Sequence, residues 1–201
     1  MIKALVTDIG NVVWNYEELQ NQLLTRWAKL FNISPQAVHQ KYDQIYIQFE
    51  LGTQTLENYL LDLGYQPQPF LDILNQVFSA TNFNQHLNHQ VVDLITSLRS
   101  RNFIVGYLSN GENFKRDCIY RRLDHLFDFG ITSYAAAFRK PDPKIYQLIF
   151  RHLSYLPEEI IFIDDKPENV RAAQELGING IVFQNYPKLI LDLKSLSPTL
   201  I

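Results

Sequence analysis

One pattern constrains the fold of this chain more than any other: apolar runs of strand length that stop on a polar residue. Ala4-Leu5-Val6-Thr7 leads into Asp8 and breaks at Gly10-Asn11. Phe103-Ile104-Val105-Gly106-Tyr107-Leu108 ends at Ser109-Asn110, and Ile160-Ile161-Phe162-Ile163 ends at Asp164-Asp165. A fourth polar group, Lys140, stands beside Pro141. Near-continuous apolar runs suit strands buried on both faces, as in a parallel sheet covered by helices. In open α/β sheets, ligands bind in the crevice outside the carboxyl ends of the strands. Each polar residue alone has a plain structural use. Ser109 suits a turn, Lys140 a solvated surface, and Asp164-Asp165 the start of a helix at Pro167. Their joint placement points to a site.

The segments between the runs read as helices. Leu19, Leu23, Trp27 and Leu30 share a helical face, and Ser34-Pro35 has the form of an N-cap followed by N1. Leu56–Leu63 is expected to be a short helix ended by Gly64, and Gln68–Phe78 another. Further helices are expected over about 90–101, 113–122 and 144–153, and from Pro167 to near Leu176 with Gly177 just past its end. Short strands are expected over 127–131 and 180–183, with a last helix and tail from Leu189 to Ile201. The reading is therefore α/β: a doubly wound, Rossmann-like parallel-sheet core with an inserted α-helical unit. Residues 1–14 and 85–201 form the core, and residues 15–84 the helical insertion.

Composition narrows the class. Hydrophobic residues make up 46% and charged residues 19% of the 201, which is too apolar for disorder. A net charge of −3 without a long basic run argues against nucleic acid. The single cysteine, Cys118, cannot form an internal disulfide. Met1-Ile2-Lys3 enters the first strand directly, and no apolar stretch is long enough to span a bilayer. A soluble cytoplasmic protein without membrane partners is expected. The five histidines show no metal-binding spacing.

The four ends can serve one reaction. A carboxylate such as Asp8 can act as a nucleophile. Asp8 and Asp165 are hard oxygen donors suited to Mg²⁺. Lys140 supplies fixed positive charge, and Ser109 a hydroxyl, for phosphate oxygens.

At this level of detail the chain resembles the haloacid dehalogenase-like superfamily, most of whose members are Mg²⁺-dependent phosphatases. The first family motif corresponds to Asp8-Ile9-Gly10-Asn11-Val12, and the second to Ser109-Asn110-Gly111. The third matches Lys140-Pro141-Asp142-Pro143-Lys144-Ile145-Tyr146, and the fourth Asp164-Asp165-Lys166-Pro167-Glu168-Asn169. The resemblance implies Asp8 as the nucleophile that becomes an aspartyl-phosphate, with Lys140 as its catalytic partner. It implies phosphate binding by Ser109, Asn110 and Lys140. Magnesium would be held by Asp8, the Gly10 carbonyl and Asp165, with Asp164 a ligand or a support behind them. The helical insertion corresponds to the family's cap, where substrate choice is made. Its aromatic residues Trp14, Tyr16, Tyr42, Tyr46, Phe49 and Tyr59 are expected mainly in the cap core, with one or two facing substrate.

Gly10 departs from the family pattern, which usually has a second aspartate there to protonate the leaving group. General acid–base assistance is worth about 10²–10⁴-fold. Its loss implies either a substrate with a good leaving group, such as an anomeric or acyl phosphate, or an acid borrowed from the helical insertion. The expected function is a phosphatase of small phosphorylated metabolites, with sugar phosphates as the candidate class. Two alternatives stand beside it: a catalytically weak protein that binds a phosphorylated ligand, and a metal-independent dehalogenase.

Overall fold

The computed structural model describes residues 1–198 and 200 of the chain. Five strands form one parallel sheet: β1 Ala4–Thr7, β2 Ile104–Ser109, β3 Phe129–Thr132, β4 Ile160–Asp164 and β5 Asn179–Val182. Their order is β3-β2-β1-β4-β5. The chain winds outward from β1 to one side and then to the other, so β1 lies at the reversal point. Thr7 is level with Tyr107 of β2 and Ile163 of β4. That register sets Asp8, Ser109 and Asp164 together at one end of the sheet.

Alternation of side chains explains the unbroken apolar runs. Leu5, Val105, Tyr107, Ile161 and Ile163 enter the core on one face. Ala4, Val6, Leu108, Ile160 and Phe162 enter the core on the other. Both faces are covered, so no position of β1 or β4 needs a polar residue.

Six helices stand between β1 and β2 in the chain, and the first five make up the inserted segment: α1 Glu17–Phe31, α2 Pro35–Glu50, α3 Leu56–Asp62, α4 Gln68–Val77 and α5 Ala80–Gln85. The capping signals act as expected. Ser34 Oγ accepts from the Ala37 N–H at 3.2 Å, and Thr55 Oγ1 from the Asn58 N–H at 3.2 Å. Gly64 takes the left-handed conformation after α3, with φ of 80°. Helix α5 is an addition to the sequence reading. Its N-cap is Ser79, which the aromatic-rich sequence around it obscured. The chain enters and leaves this helical segment side by side. The Asn15 N–H donates to the His86 carbonyl, and the Asn88 N–H to the Val13 carbonyl, both at 2.9 Å. Trp14 closes the junction, buried against Phe78 and Phe83, with Nε1 donating to the Phe83 carbonyl at 3.0 Å.

The expected helix α6 is present as His89–Ser100. The expected helix over 113–122 is not one α-helix. It winds as a tight turn at Asn113–Lys115, a wide π turn at Arg116–Tyr120 and an α turn at Arg121–Leu123. The reason lies in its side chains. Lys115 and Tyr120 both line the cavity described below. Five residues apart on an α-helix they would diverge by about 140°, and the wider turn brings them onto one face. The helix expected over 144–153 is two short pieces, Pro143–Gln147 and Ile149–His152. The helix at Pro167–Glu175 ends as expected, with Gly177 at φ of 84°. A last helix runs from Tyr186 to Leu196, earlier than expected because Asn185 caps it. Of the expected tail, Thr199 and Ile201 lie outside the described residues. Among the described residues, no helix is long and apolar enough to cross a membrane.

Candidate active site

Asp8 follows β1 directly. Its Oδ1 accepts the Ile9 N–H at 2.7 Å and pairs with Lys140 Nζ at 2.9 Å. Its Oδ2 has no hydrogen-bond partner among the described residues, and the residue lines a cavity. Lys140 is almost wholly buried, at 1% exposure. Its ammonium donates to Asp164 Oδ2 at 2.6 Å and to the Leu108 carbonyl at 2.9 Å. Burial works against that charge, but Asp8 and Asp164 outweigh it and hold the lysine above its ordinary pKa.

Asp164 is fully buried and committed to support. Besides Lys140, its Oδ1 accepts the Lys166 N–H and Asn169 Nδ2, both at 2.9 Å. Asp165 lines the cavity itself, with Oδ2 accepting from Asn11 Nδ2 at 3.0 Å. Asn11 reaches it from a left-handed turn, with φ of 57°. Ser109 is buried beside Tyr120, with 3.3 Å between the two hydroxyl oxygens. The Asn110 side chain grips the Lys140 backbone. Its Oδ1 accepts the Lys140 N–H at 2.8 Å and its Nδ2 donates to the Lys140 carbonyl at 2.9 Å. Asn110 thereby fixes the lysine's place, a use the sequence did not indicate.

Carboxylate oxygens of Asp8, Asp164 and Asp165 lie within 4.8 Å of one another. Three acids this close repel unless a cation joins them, and an all-oxygen donor set fits Mg²⁺. None of the five histidines belongs to this cluster among the described residues. Burial pushes the Asp8 carboxyl up to about 6, with Asp164 adding to the rise and Lys140 opposing it.

That shift predicts a pH-dependent cost. The unfolded carboxyl loses its proton near pH 4, while the folded one keeps it to about 6. Through that window the folded state binds more protons, so Asp8 lowers stability as pH rises. In chelator at pH 8, Asp8→Asn is expected to melt above the wild type, by on the order of 1–3 kcal/mol. The gap should close between pH 6 and 4 in thermal melts. A less stable Asp8→Asn at pH 8 would refute this.

Gly10 has a neighbour that explains its size. A Cβ there would lie 2.9 Å from Cε1 of Tyr16, so the tyrosine ring takes the space a larger residue would need. Tyr16, Tyr42 and Tyr46 line the cavity, whereas Phe49 is buried in the apolar core and Tyr59 packs against it. The sequence could not separate these aromatics, because helical spacing places Tyr42, Tyr46 and Phe49 on α2 and Tyr59 on α3 without saying what covers each face. Glu50 of α2 pairs with Arg139 at 2.7 Å, joining the helical segment to the residue before Lys140. Glu112, Lys115 and Gln20 also line the cavity and were missed. The available signal was weak: a Glu-Lys pair three residues apart, just after the Ser109-Asn110 motif.

The family model described as haloacid dehalogenase-like hydrolase matches residues 2–177. The chain belongs to the haloacid dehalogenase-like hydrolases. Among curated relatives, bifunctional epoxide hydrolase 2 of Mus musculus is 26% identical over 132 residues, which is 63% of this chain and 24% of the relative. Flavin mononucleotide hydrolase 1 of Arabidopsis thaliana is 40% identical over 75 residues, 37% of this chain and 31% of the relative. The matches thus span a third or less of these relatives' own length. A haloacid dehalogenase family enzyme of Bacteroides thetaiotaomicron, an aspartate-to-alanine mutant in complex with magnesium and inorganic phosphate, has the same fold. Its TM-score is 0.75 at 22% identity, covering 94% of this chain and 99% of that one. A predicted hydrolase of the same family from Porphyromonas gingivalis aligns with a TM-score of 0.72 at 24% identity, covering 96% and 98%. As a haloacid dehalogenase-like hydrolase, this chain presents its family motifs at the C-terminal ends of β1, β2 and β4.

Proposed function

We propose that this hydrolase is a Mg²⁺-dependent phosphatase of small phosphorylated metabolites. The observation that carries the reading is the unequal use of the two Asp8 oxygens. Oδ1 is held by the Ile9 N–H and Lys140, which fixes the carboxylate, and Oδ2 is left for attack. In the proposed step Oδ2 forms a bond to phosphorus, the ester P–O bond breaks, and the leaving oxygen takes its proton from water. Water then cleaves the aspartyl-phosphate and regenerates Asp8. Lys140 and the Ser109 hydroxyl bind phosphoryl oxygens, with Asn110 keeping Lys140 in place. Asp8, Asp165 and the Gly10 carbonyl would hold magnesium, which offsets charge between carboxylate and phosphate when bound.

Residues 15–84 are proposed as the cap, closing over residues 1–14 and 85–201. The Glu50–Arg139 ion pair ties the two parts beside Lys140, and closure would exclude water from the attack. A dianionic substrate with a good leaving group suits a site whose position 10 carries no acid. Relatives that hydrolyse flavin mononucleotide or sesquiterpene phosphates extend the range of phosphorylated leaving groups to test.

The test is phosphate release from p-nitrophenyl phosphate with Mg²⁺ and with chelator. Turnover that requires Mg²⁺ is expected. The metal should also stabilise the protein. At a hundredfold excess over its dissociation constant it contributes about 2.7 kcal/mol, or roughly 5–10 °C in melting temperature for a chain of this size. Asp165→Asn should remove most of that rise. Melting curves that ignore Mg²⁺ at millimolar concentration would count against the metal site.

A further inference from the structure

The cavity that receives Asp8 also carries a second polar cluster, built from α1, α2 and the turn after β2. Lys115 is buried there, at 2% exposure. Its ammonium donates to Gln20 Oε1 at 2.6 Å and to Glu112 Oε1 at 2.8 Å. The Tyr42 hydroxyl donates to the same Glu112 oxygen. The rings of Tyr16, Tyr42, Phe78 and Phe114 surround the ammonium at 5.6–6.0 Å. Enclosed and neutralised by Glu112, Lys115 is not a free cation for a second anionic group.

Gln20 is the residue left incomplete. A lysine has only donors, so the amide oxygen of Gln20 must face Lys115 and its Nε2 must face away. That Nε2 is buried without a hydrogen-bond partner. Gln20 is 9% exposed and lines the cavity. An unmade hydrogen bond at a buried donor is a standing cost that a ligand can relieve. Beside it, on the same ammonium, Glu112 is an acceptor. Burial works to raise its pKa, but Lys115 and Tyr42 prevail and keep it ionised.

A donor and an acceptor side by side are the complement of a hydroxyl group, which accepts from one and donates to the other. We infer that Gln20 Nε2 and the Glu112 carboxylate form a specificity subsite that reads a hydroxyl on an uncharged leaving group. The inference rests on the phosphatase reading and names what that site selects. The cavity volume of about 210 Å³ limits the leaving group to a few carbons or one small ring, because drug-sized ligands take roughly 300–1,000 Å³.

The experiment compares kcat/KM for matched aryl esters, whose leaving groups need no acid: 3-(hydroxymethyl)phenyl phosphate against 3-methylphenyl phosphate, and 3-(2-hydroxyethyl)phenyl phosphate against 3-ethylphenyl phosphate. The wild type is expected to prefer the hydroxylated member by about 10²-fold or more, since a site built to bond a hydroxyl rejects the analogue lacking it. Gln20→Glu keeps an oxygen for Lys115 and removes the donor. It should cut that preference by about tenfold or more. The wild-type ratio tests the inference even where the variant folds poorly. Equal rates within each pair, with p-nitrophenyl phosphate still hydrolysed, would overturn the subsite and leave the phosphatase standing. A preference undiminished in Gln20→Glu would overturn the role of Gln20. Failure to hydrolyse any ester, p-nitrophenyl phosphate included, would overturn both readings.

Discussion

Asp8→Asn is expected to abolish phosphate release, by on the order of 10⁴–10⁶-fold in kcat, the range seen when a nucleophile is removed. Asparagine keeps the acceptor for the Ile9 N–H and the shape of the residue, so the loop after β1 has no reason to move. What it lacks is the anionic oxygen that attacks. The expectation is sharpened by stability, because burial makes the ionised carboxylate a cost to the fold. A variant that melts higher in chelator and yet turns over nothing would show that the charge is kept for chemistry. The assay is p-nitrophenyl phosphate hydrolysis with Mg²⁺ at neutral pH, on protein checked by its melting curve. Residual activity within tenfold of the wild type would remove Asp8 from the nucleophile's role.

The second large effect is expected at Lys140, and here stability and activity should fall together. The ammonium lies between two buried carboxylates, 2.9 Å from Asp8 and 2.6 Å from Asp164. Lys140→Met removes the cation and leaves two acids facing each other out of water. Breaking a buried pair in this way costs about 3–5 kcal/mol, a large part of the 5–15 kcal/mol that holds a typical domain together. The melting temperature should drop by roughly 6–20 °C. The loss should shrink as pH falls through about 6, because the Asp8 carboxyl, already raised to about 6 with Lys140 opposing the rise, protonates more readily without it. Adding Asp164→Asn should recover part of it by removing one of the like charges, although the amide must still serve Lys166 and Asn169. Denaturant and thermal unfolding across pH 4–8 read all three variants. A Lys140→Met protein within 1 kcal/mol of wild type at pH 8 would contradict the view of this lysine as the charge on which the acid cluster depends.

The sheet was legible because its strands are buried on both faces. Such strands must be apolar throughout, and the run from Ala4 to Thr7 or from Ile160 to Ile163 leaves little else to be. Helix starts were legible where a capping side chain precedes a proline or an apolar face, as at Ser34-Pro35. The segment over 113–123 was not, because its widened turn answers to the cavity rather than to local propensity.

Asp8, Ser109 and Asp164-Asp165 could be proposed as one cluster from sequence alone, because parallel strands bring their ends together whatever the loops do; Lys140, in the loop beyond β3 and a helical turn, joined them only through the motif around it. Which oxygen of Asp8 is free, and that Asn110 holds the backbone of Lys140, depended on how the loops after those strands pack. The same is true of Tyr16 over Gly10 and of Lys115 against Gln20, a pair 95 residues apart in the chain. No periodicity encodes such a contact. It exists because a helical segment inserted after β1 folds back over the ends of the strands, and only the packed structure decides which side chains then meet.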